Sequence, residues 1–337
     1  RKIKVYVILV SISFLLMLVR IWYLQILKGE DFMGQSEQNR IRKITLPDHR
    51  GTIKDRRGET VVSIRPSFSL YVTPEDAKNI SESLSRLSKN IEIDQTKIKK
   101  DIRQSRPFKD VLMKRDISRT EIAYFEENKM MFPGIHIKIE PLRSYVNKEF
   151  AAHIIGYLGE VSKDELKKPK YNKYEQGEMI GRNGLEKIYE SSLKGERGYK
   201  EVEVDVAGRE LKVLRKFSPQ FGNSLVLTLD SRVQKKLEEL MEEVSENSPV
   251  EGSVVVMKVT TGEIIAMVSK PSYDPNLFAG GISRKKWNRL LNDKKNPLQN
   301  RSIDGQYPPA STYKLVTAYA ALSENVIKPE DTIFCPG

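Results

Sequence analysis

The chain has 337 residues, 39% of them hydrophobic and 30% charged, with a formal net charge of +12. That length allows two domains with a core in each, and that balance excludes a disordered or low-complexity chain. Cys335 is the only cysteine, which rules out an internal disulfide, and three histidines without ligand-like spacing give no basis for a metal or any other cofactor.

The first element is apolar. "VYVILVSISFLLMLVRIWYLQIL", Val5 to Leu27, is 23 residues with Arg20 as its one charge. At a rise of ~1.5 Å per residue it covers ~34 Å, enough for a hydrocarbon core of ~30 Å. Arg1, Lys2 and Lys4 precede it, and Trp22 and Tyr23 sit near its far end as interfacial residues. A cleaved signal peptide is shorter and ends in a small-residue site, and "QILKGEDF" offers only Gly29. The expectation is a single-pass anchor in the cell (inner) membrane, with a cytoplasmic N-terminus and everything after residue 28 extracytoplasmic, in the periplasm. The basic clusters, such as "NRIRK" and "KKPK", then read as solvated faces, with at most a weak attraction to anionic lipid or wall polymer. A nucleic-acid partner is not expected. The sequence opens on Arg1 and stops at "DTIFCPG", and it is expected to continue at both ends.

Residues from about 40 to 218 alternate in short apolar runs, "IRKITL", "ETVVSI" and "FSLYVT", bounded by Gly, Pro and Asp. Helical spacing follows from Pro74 to about Arg103 and at "ISRTEIAYFEENKMM", where Ser118 and Glu121 predict a capping box. "GIHIKIEPLRSYVNKEFAAHIIGYLGEV" predicts strand and then a short helix. "RNGLEKIYESSLKG" predicts a helix closed by Gly195, and "GYKEVEVDVAGRELKVLRKF" a hairpin around Gly208. A second unit begins near residue 219: a strand reaching Asp230, then a helix carrying Val233, Leu237, Leu240 and Val244. A β-hairpin turning at Thr261-Gly262 comes next.

Ser-x-x-Lys occurs at Ser191/Lys194, Ser283/Lys286 and Ser311/Lys314. The first ends a helix, where lysine is a good C-terminal residue, and the second lies in a basic surface run. Only Ser311 opens a helix, behind Pro308-Pro309, and only it precedes an apolar run, Leu315, Val316, Tyr319, Ala320 and Leu322, which predicts a buried helix. Residues three apart share a helix face, so Lys314 is placed to accept the Ser311 proton near free helix N–H groups. The residues alone leave two readings open: a nucleophile with its base, or an N-cap serine beside a solvent-facing lysine.

"YPPASTYK" resembles the active-site segment of class B penicillin-binding proteins, Pro-Pro-Gly-Ser-x-x-Lys. "HRGTIKDRRGE" resembles that family's pedestal signature, and "GEMIGRNGLEKIYESSLKGERGYKEVEVDVAGRE" its Gly-Leu-Glu and Gly-Arg blocks. "AAHIIGYLGEVS", "RPSFSLYVTPED", "PSYDPNLFAGGIS" and "WNRLLND" are similar to the elongation-type, penicillin-binding protein 2, branch. The resemblance covers essentially the whole chain. It implies an α+β multidomain protein with a transmembrane helix (1–28) and an elongated strand-rich pedestal, the dimerisation domain (29–218). The N-terminal part of a serine β-lactamase-like transpeptidase domain follows (219–337).

It also implies a peptidoglycan D,D-transpeptidase, a cell-wall elongation enzyme that cross-links stem peptides ending in D-Ala-D-Ala and is acylated by β-lactams. Ser311 would be its nucleophile and Lys314 its general base. A SEDS-type glycosyltransferase and the scaffold protein MreC would be its partners, with pedestal or interdomain contacts at Arg50, Gly51, Asp55, Arg56 and Gly58. Ala310 stands where the family has Gly, and Arg57 where it has Asn. Lys-Thr-Gly and Lys-Ser-Gly are absent. The Ser323/Asn325 pair lies ~18 Å along the helix from Ser311, too far to share a proton. The transpeptidase domain is therefore expected to be incomplete here and inactive by itself. Two other readings are a non-catalytic pedestal protein that regulates the glycosyltransferase and a β-lactam-sensing or β-lactam-hydrolysing relative.

Overall fold

The computed structural model describes residues 2–28, 41–77, 79–105, 109–175, 177–205, 210–243, 250–332 and 334. Lys2–Trp22 form an α-helix that continues as a π-helical turn over Tyr23–Leu27. Val5–Leu27 is long and apolar enough to cross a membrane, and none of the described chain covers it. The Arg20 guanidinium lies 5.5 Å from the centre of the Tyr23 ring, so the charge of the span meets an aromatic π-face near the helix end.

The strands of the first region are β1 (Ile41–Leu46), β2 (Ile53–Lys54), β3 (Thr60–Val72), β4 (Val111–Lys114), β5 (Ile135–Tyr145), β6 (Leu158–Glu160) and β7 (Met179–Gly181). β8 (Gly198–Val204), β9 (Glu210–Phe217) and β10 (Leu225–Val226) follow, and β11 (Gly252–Met257) and β12 (Ile264–Lys270) form the later hairpin. A five-stranded sheet runs β10-β2-β3-β4, with β5 on the other edge of β3. β1, β8 and β9 make a three-stranded sheet, and β6 pairs β7.

The alternating runs land in these strands, with differences that have physical reasons. "ETVVSI" and "FSLYVT" fuse into one 13-residue strand that runs through Pro66, opposite Pro141 of β5. The Val146 N–H donates to Val61 O at 3.1 Å, which makes the odd positions of β3 the hydrogen-bonded ones. At Pro66 and Pro141 the backbone nitrogens therefore point away from each other, and neither missing N–H removes a ladder bond. The helix expected over residues 182 to 195 is two short ones, Gly184–Ile188 and Glu190–Leu193, broken at Tyr189. The turn expected around Gly208 lies outside the described residues, but β8 and β9 pair antiparallel, with the Tyr199 and Phe217 rings 4.4 Å apart. The strand before Asp230 is only β10, two residues long.

Helices Ile80–Leu87, Gln95–Gln104 and Arg119–Glu127 build one core against β3, β4 and β5, centred on Leu70, Leu84, Leu87, Phe125 and Phe132. The Ser118 capping box is closed both ways: Ser118 Oγ accepts the Glu121 N–H at 3.3 Å, and Glu121 Oε2 accepts the Ser118 N–H at 2.8 Å. A second core, with Ile53, Val62, Leu142 and Leu193, takes in Leu229 and Ala279 from later in the chain.

Charge sits inside this frame. Glu186 has no exposed surface. Its Oε2 accepts Arg50 Nε at 2.7 Å and its Oε1 accepts Arg143 Nε at 2.7 Å. Arg50 also donates to Glu190 Oε2 at 2.7 Å, and Arg143 to Gly51 O at 2.6 Å. Burial works to lower the Arg50 guanidinium, but Glu186 and Glu190 outweigh it and hold Arg50 above its ordinary pKa. Burial likewise works to raise Glu190, and the Arg50 contacts outweigh it and lower it.

The two parts of the chain meet along residues 145–153. The Asn276 side chain imitates a neighbouring strand: its Oδ1 accepts the Tyr145 N–H at 3.0 Å and its Nδ2 donates to Tyr145 O at 2.9 Å. Ser272 Oγ donates to Glu149 O at 3.2 Å, and Tyr273 OH to Ala152 O at 3.1 Å. Glu238 Oε1, on the helix Ser231–Glu243, accepts the Ala151 N–H at 2.9 Å and Gln234 Nε2 at 2.8 Å. Around them Tyr157 stacks on Phe278 at 4.1 Å, with Tyr273 and Trp287 packed edge-on.

Removing one partner of a buried ion pair leaves an uncompensated charge, at a cost of about 3–5 kcal/mol. Glu186→Ala is expected to lose that much in urea unfolding; a loss under about 1 kcal/mol would show that the cluster is not a stability centre. Glu238 supplies a second test. Burial raises its carboxyl above the usual range, against the two N–H donors and Lys270. A raised folded-state pKa makes the charged form the penalised one, so stability falls as pH climbs through the raised value. Glu238→Gln keeps an oxygen for both donors and should melt higher than the parent at neutral pH. The two should coincide below about pH 4.

Candidate active site

Ser311 stands at the end of a segment fastened to β12. Ser302 Oγ donates to Val268 O at 3.1 Å, and Ser269 Oγ accepts the Arg301 N–H at 3.0 Å. Asn300 caps the short helix Arg301–Asp304 through the Ser302 N–H at 3.1 Å. The buried Arg301 guanidinium bonds Lys295 O at 2.8 Å, Asn296 O at 3.3 Å and Glu251 Oε2 at 3.1 Å. A Cβ at Gly305 would lie 2.4 Å from Arg301 O and 2.5 Å from Tyr307 Cε2, so this position must be glycine for the chain to leave the helix as it does.

Pro308 and Pro309 then lead into a 3-10 turn, Ala310–Tyr313, which passes into the α-helix Lys314–Ser323. Ala310 has φ of 45°, left-handed backbone that an L side chain resists. The Thr312 N–H bonds Pro309 O at 3.1 Å, and among the described residues no carbonyl accepts the Ser311 N–H. Side chains three apart eclipse in a 3-10 turn, so Ser311 and Lys314 project to the same side of the junction. Both are exposed, and no hydrogen bond joins them among the described residues. Ser311 makes no side-chain cap to the helix.

The helix behind them is not buried, contrary to its apolar run. Leu315 is 78% and Tyr319 75% exposed, because no described element packs on that face. The other two Ser-x-x-Lys pairs have separate explanations. Ser283 Oγ caps the helix Arg284–Leu291 through the Lys286 N–H at 3.4 Å. Lys194 is half-buried, its Nζ 2.9 Å from Glu178 Oε2 and 3.5 Å from the Tyr174 ring centre, and burial lowers its pKa.

Of the pedestal-signature residues, Arg50, Gly51 and Asp55 turn inward, whereas Arg56 and Gly58 are exposed. Arg50 belongs to the Glu186 cluster. The Gly51 N–H donates to Leu193 O at 2.8 Å, and a Cβ there would sit 1.9 Å from Asn223 O, so only glycine permits this crossing. Asp55 Oδ1 accepts the N–H groups of Arg57 and Glu59, each at 2.8 Å, and its Oδ2 accepts the Ser231 N–H at 3.2 Å, at the start of the next helix. Burial works to raise this carboxyl, and the backbone donors outweigh it and lower it. The Arg56 N–H reaches Leu229 O at 2.9 Å and its guanidinium lies 3.7 Å from Glu263. Gly58, with φ of 84°, closes the turn. Glu186, Arg143, Asn276, Glu238 and Arg301 escaped the sequence reading. The spacing of Glu186 and Glu190, one helical turn apart, was the available signal.

The family model of the penicillin-binding protein dimerisation domain matches residues 45–227, and that of the penicillin-binding protein transpeptidase domain matches residues 252–337. The chain is 36% identical to the peptidoglycan D,D-transpeptidase MrdA of Haemophilus influenzae over 94% of its own length and 49% of the relative's. It is 34% identical to MrdA of Escherichia coli K12, over 95% and 51%. Among solved structures, the complex between penicillin-binding protein 2 and MreC from Helicobacter pylori matches with a TM-score of 0.69 at 28% identity, covering 87% of this chain and 55% of that one. A structure of a peptidoglycan synthase complex that coordinates polymerisation and crosslinking matches with a TM-score of 0.60 at 29% identity, over 98% and 57%. The chain thus spans about half the length of the relatives it matches. Its mixed α/β architecture, its dimerisation-domain match and its transpeptidase-domain match agree: the chain belongs to the penicillin-binding protein family.

Proposed function

We propose that this chain is the N-terminal half of a peptidoglycan D,D-transpeptidase of cell-wall elongation, and that Ser311 is its nucleophile. The observation that carries the reading is the pairing of Ser311 and Lys314 across the junction of a 3-10 turn and an α-helix. That junction lies at the end of a segment tied to β12. Lys314 takes the Ser311 Oγ proton while Oγ bonds the carbonyl carbon between two D-alanines of a stem peptide. The Ser311 N–H, which no carbonyl among the described residues accepts, bonds the oxyanion. The C–N bond then breaks, the proton passes to the departing D-alanine amine, and an acyl-enzyme remains. An amine of a neighbouring stem peptide attacks that ester, and Ser311 leaves with its proton restored. A β-lactam amide enters by the same first step.

The apolar helix is proposed as a single-pass anchor in the cell (inner) membrane with a cytoplasmic N-terminus, which the basic residues before Val5 support. The division into residues 1–28, 29–218 and 219–337 belongs to the same reading. A SEDS-type glycosyltransferase and an MreC-type scaffold are the proposed partners, supported by the similar assemblies named above. Arg50 and Asp55 face inward, so exposed parts of the pedestal would carry those contacts.

Ser311→Ala in the full-length protein should abolish covalent labelling by a fluorescent penicillin, and Lys314→Ala should slow it by about 10²–10⁴-fold. Labelling that survives Ser311→Ala would overturn the assignment. Ala310→Gly should remove left-handed strain of about 1 kcal/mol and raise the melting temperature with labelling intact. A lower melting temperature would show that Ala310 carries no strain.

A further inference from the structure

His153 belongs to the strand-rich region yet bonds the loop that leads to the serine. It sits on the short helix Ala152–Ile155, is buried, and places Nε2 2.7 Å from the carbonyl oxygen of Pro297. A carbonyl only accepts, so Nε2 carries the hydrogen and donates it. The ring is held edge-on to Tyr273 at 5.2 Å, and Tyr273 in turn bonds Ala152 O. Burial, with Arg301 and Lys270 nearby, outweighs the bond to Pro297 and lowers its pKa.

Pro297 is a fixed point in a loop gripped from several sides. Asn296, with φ of 44°, accepts the Gln299 N–H through its carbonyl at 3.0 Å. Arg301 reaches back to the carbonyls of Lys295 and Asn296, and Ser269 Oγ donates to Gln299 O at 3.2 Å. His153 adds a hydrogen bond from the strand-rich region, 144 positions away in sequence, where Leu298 of the loop also packs into the cluster holding Ala152 and Tyr157. From this loop the chain passes through Arg301–Asp304 and Gly305 directly to Ser311.

We propose that His153 is a positioning residue for Ser311: its Nε2–H bond to Pro297 sets the loop, and through Arg301 the serine segment, so that the pedestal fixes the geometry of acylation. The proposal rests on the reading of Ser311 as the nucleophile. A misplacement of about 1 Å in such a site costs up to ~10²-fold in rate.

The test uses the full-length protein in membranes and a fluorescent penicillin, with the acylation rate constant separated from the affinity of the initial complex. His153→Leu fills the volume without a donor, and His153→Gln keeps an amide N–H of similar reach. The Leu variant should acylate at least about tenfold more slowly at unchanged initial affinity, and the Gln variant should recover most of the rate. A Leu variant that melts like the parent and acylates at the parental rate overturns the proposal. So does a folded Gln variant no faster than Leu, or a change confined to initial affinity. Should Leu fail to fold, the Gln variant alone decides: near-parental acylation supports the bond, and slow acylation with a parental melting temperature refutes it. An unlabelled parent would sink the Ser311 reading itself, whereas a labelled parent with an indifferent Leu variant sinks only the role of His153.

Discussion

Glu186 is closed off from solvent between two guanidiniums, one from the segment entering β2 and one from β5, with Glu190 completing the charge balance on Arg50. A buried carboxylate tolerates no looseness, because each bond it loses leaves a charge in low dielectric. The cluster therefore fixes the approach of β2, β5 and the helix Gly184–Ile188 together. Arg143 extends the constraint to the Gly51 carbonyl, where the chain crosses Asn223 too closely for any side chain. Asp55 lies four residues further on and carries the same frame to the helix at Ser231.

The junction with the later part of the chain follows a different logic. Its bonds run mostly from side chains of residues 238 to 276 to backbone atoms of residues 145 to 152, rather than between side chains. Such bonds read backbone position and not residue identity, so they register a shift of the pedestal segment whatever its side chains are. Apolar cover comes from Tyr157, Phe278 and Trp287, which keep water from competing for those bonds.

Local features were legible in the sequence because local spacing determines them. The apolar span, the Ser118 capping box and the two hairpin pairings needed only periodicity and cap chemistry. Ser311 could be separated from Ser191 and Ser283 by its place at a proline-led helix start, and the family resemblance gave it a role that spacing alone left open. The positive φ of Ala310 lies in the region where glycine sits without strain, in keeping with the glycine of the segment that "YPPASTYK" resembles. Contacts such as Arg50 with Glu186, Asn276 with Tyr145 and His153 with Pro297 join residues 131 to 144 positions apart, and no periodicity reports them. The helix Lys314–Ser323 shows the converse limit: its pattern reports an apolar face, but not which element covers it.

The facing prolines of β3 and β5 bear on the history of the chain before it is folded. β3 and β5 form the longest ladder in the described residues, rich in Val, Ile, Leu and Tyr, and among those residues no strand pairs with β5 on its far side. Such an edge is a template on which another chain can add a strand. Tyr145, Arg143 and Pro141 turn their backbone groups to that edge by the same alternation. Asn276 occupies the bonds at Tyr145, and Pro141 has no hydrogen to offer. That edge is thus blocked at one end and interrupted midway. Pro141 serves both the β3–β5 ladder, which loses no bond at it, and the protection of the β5 edge, which Asn276 completes at Tyr145.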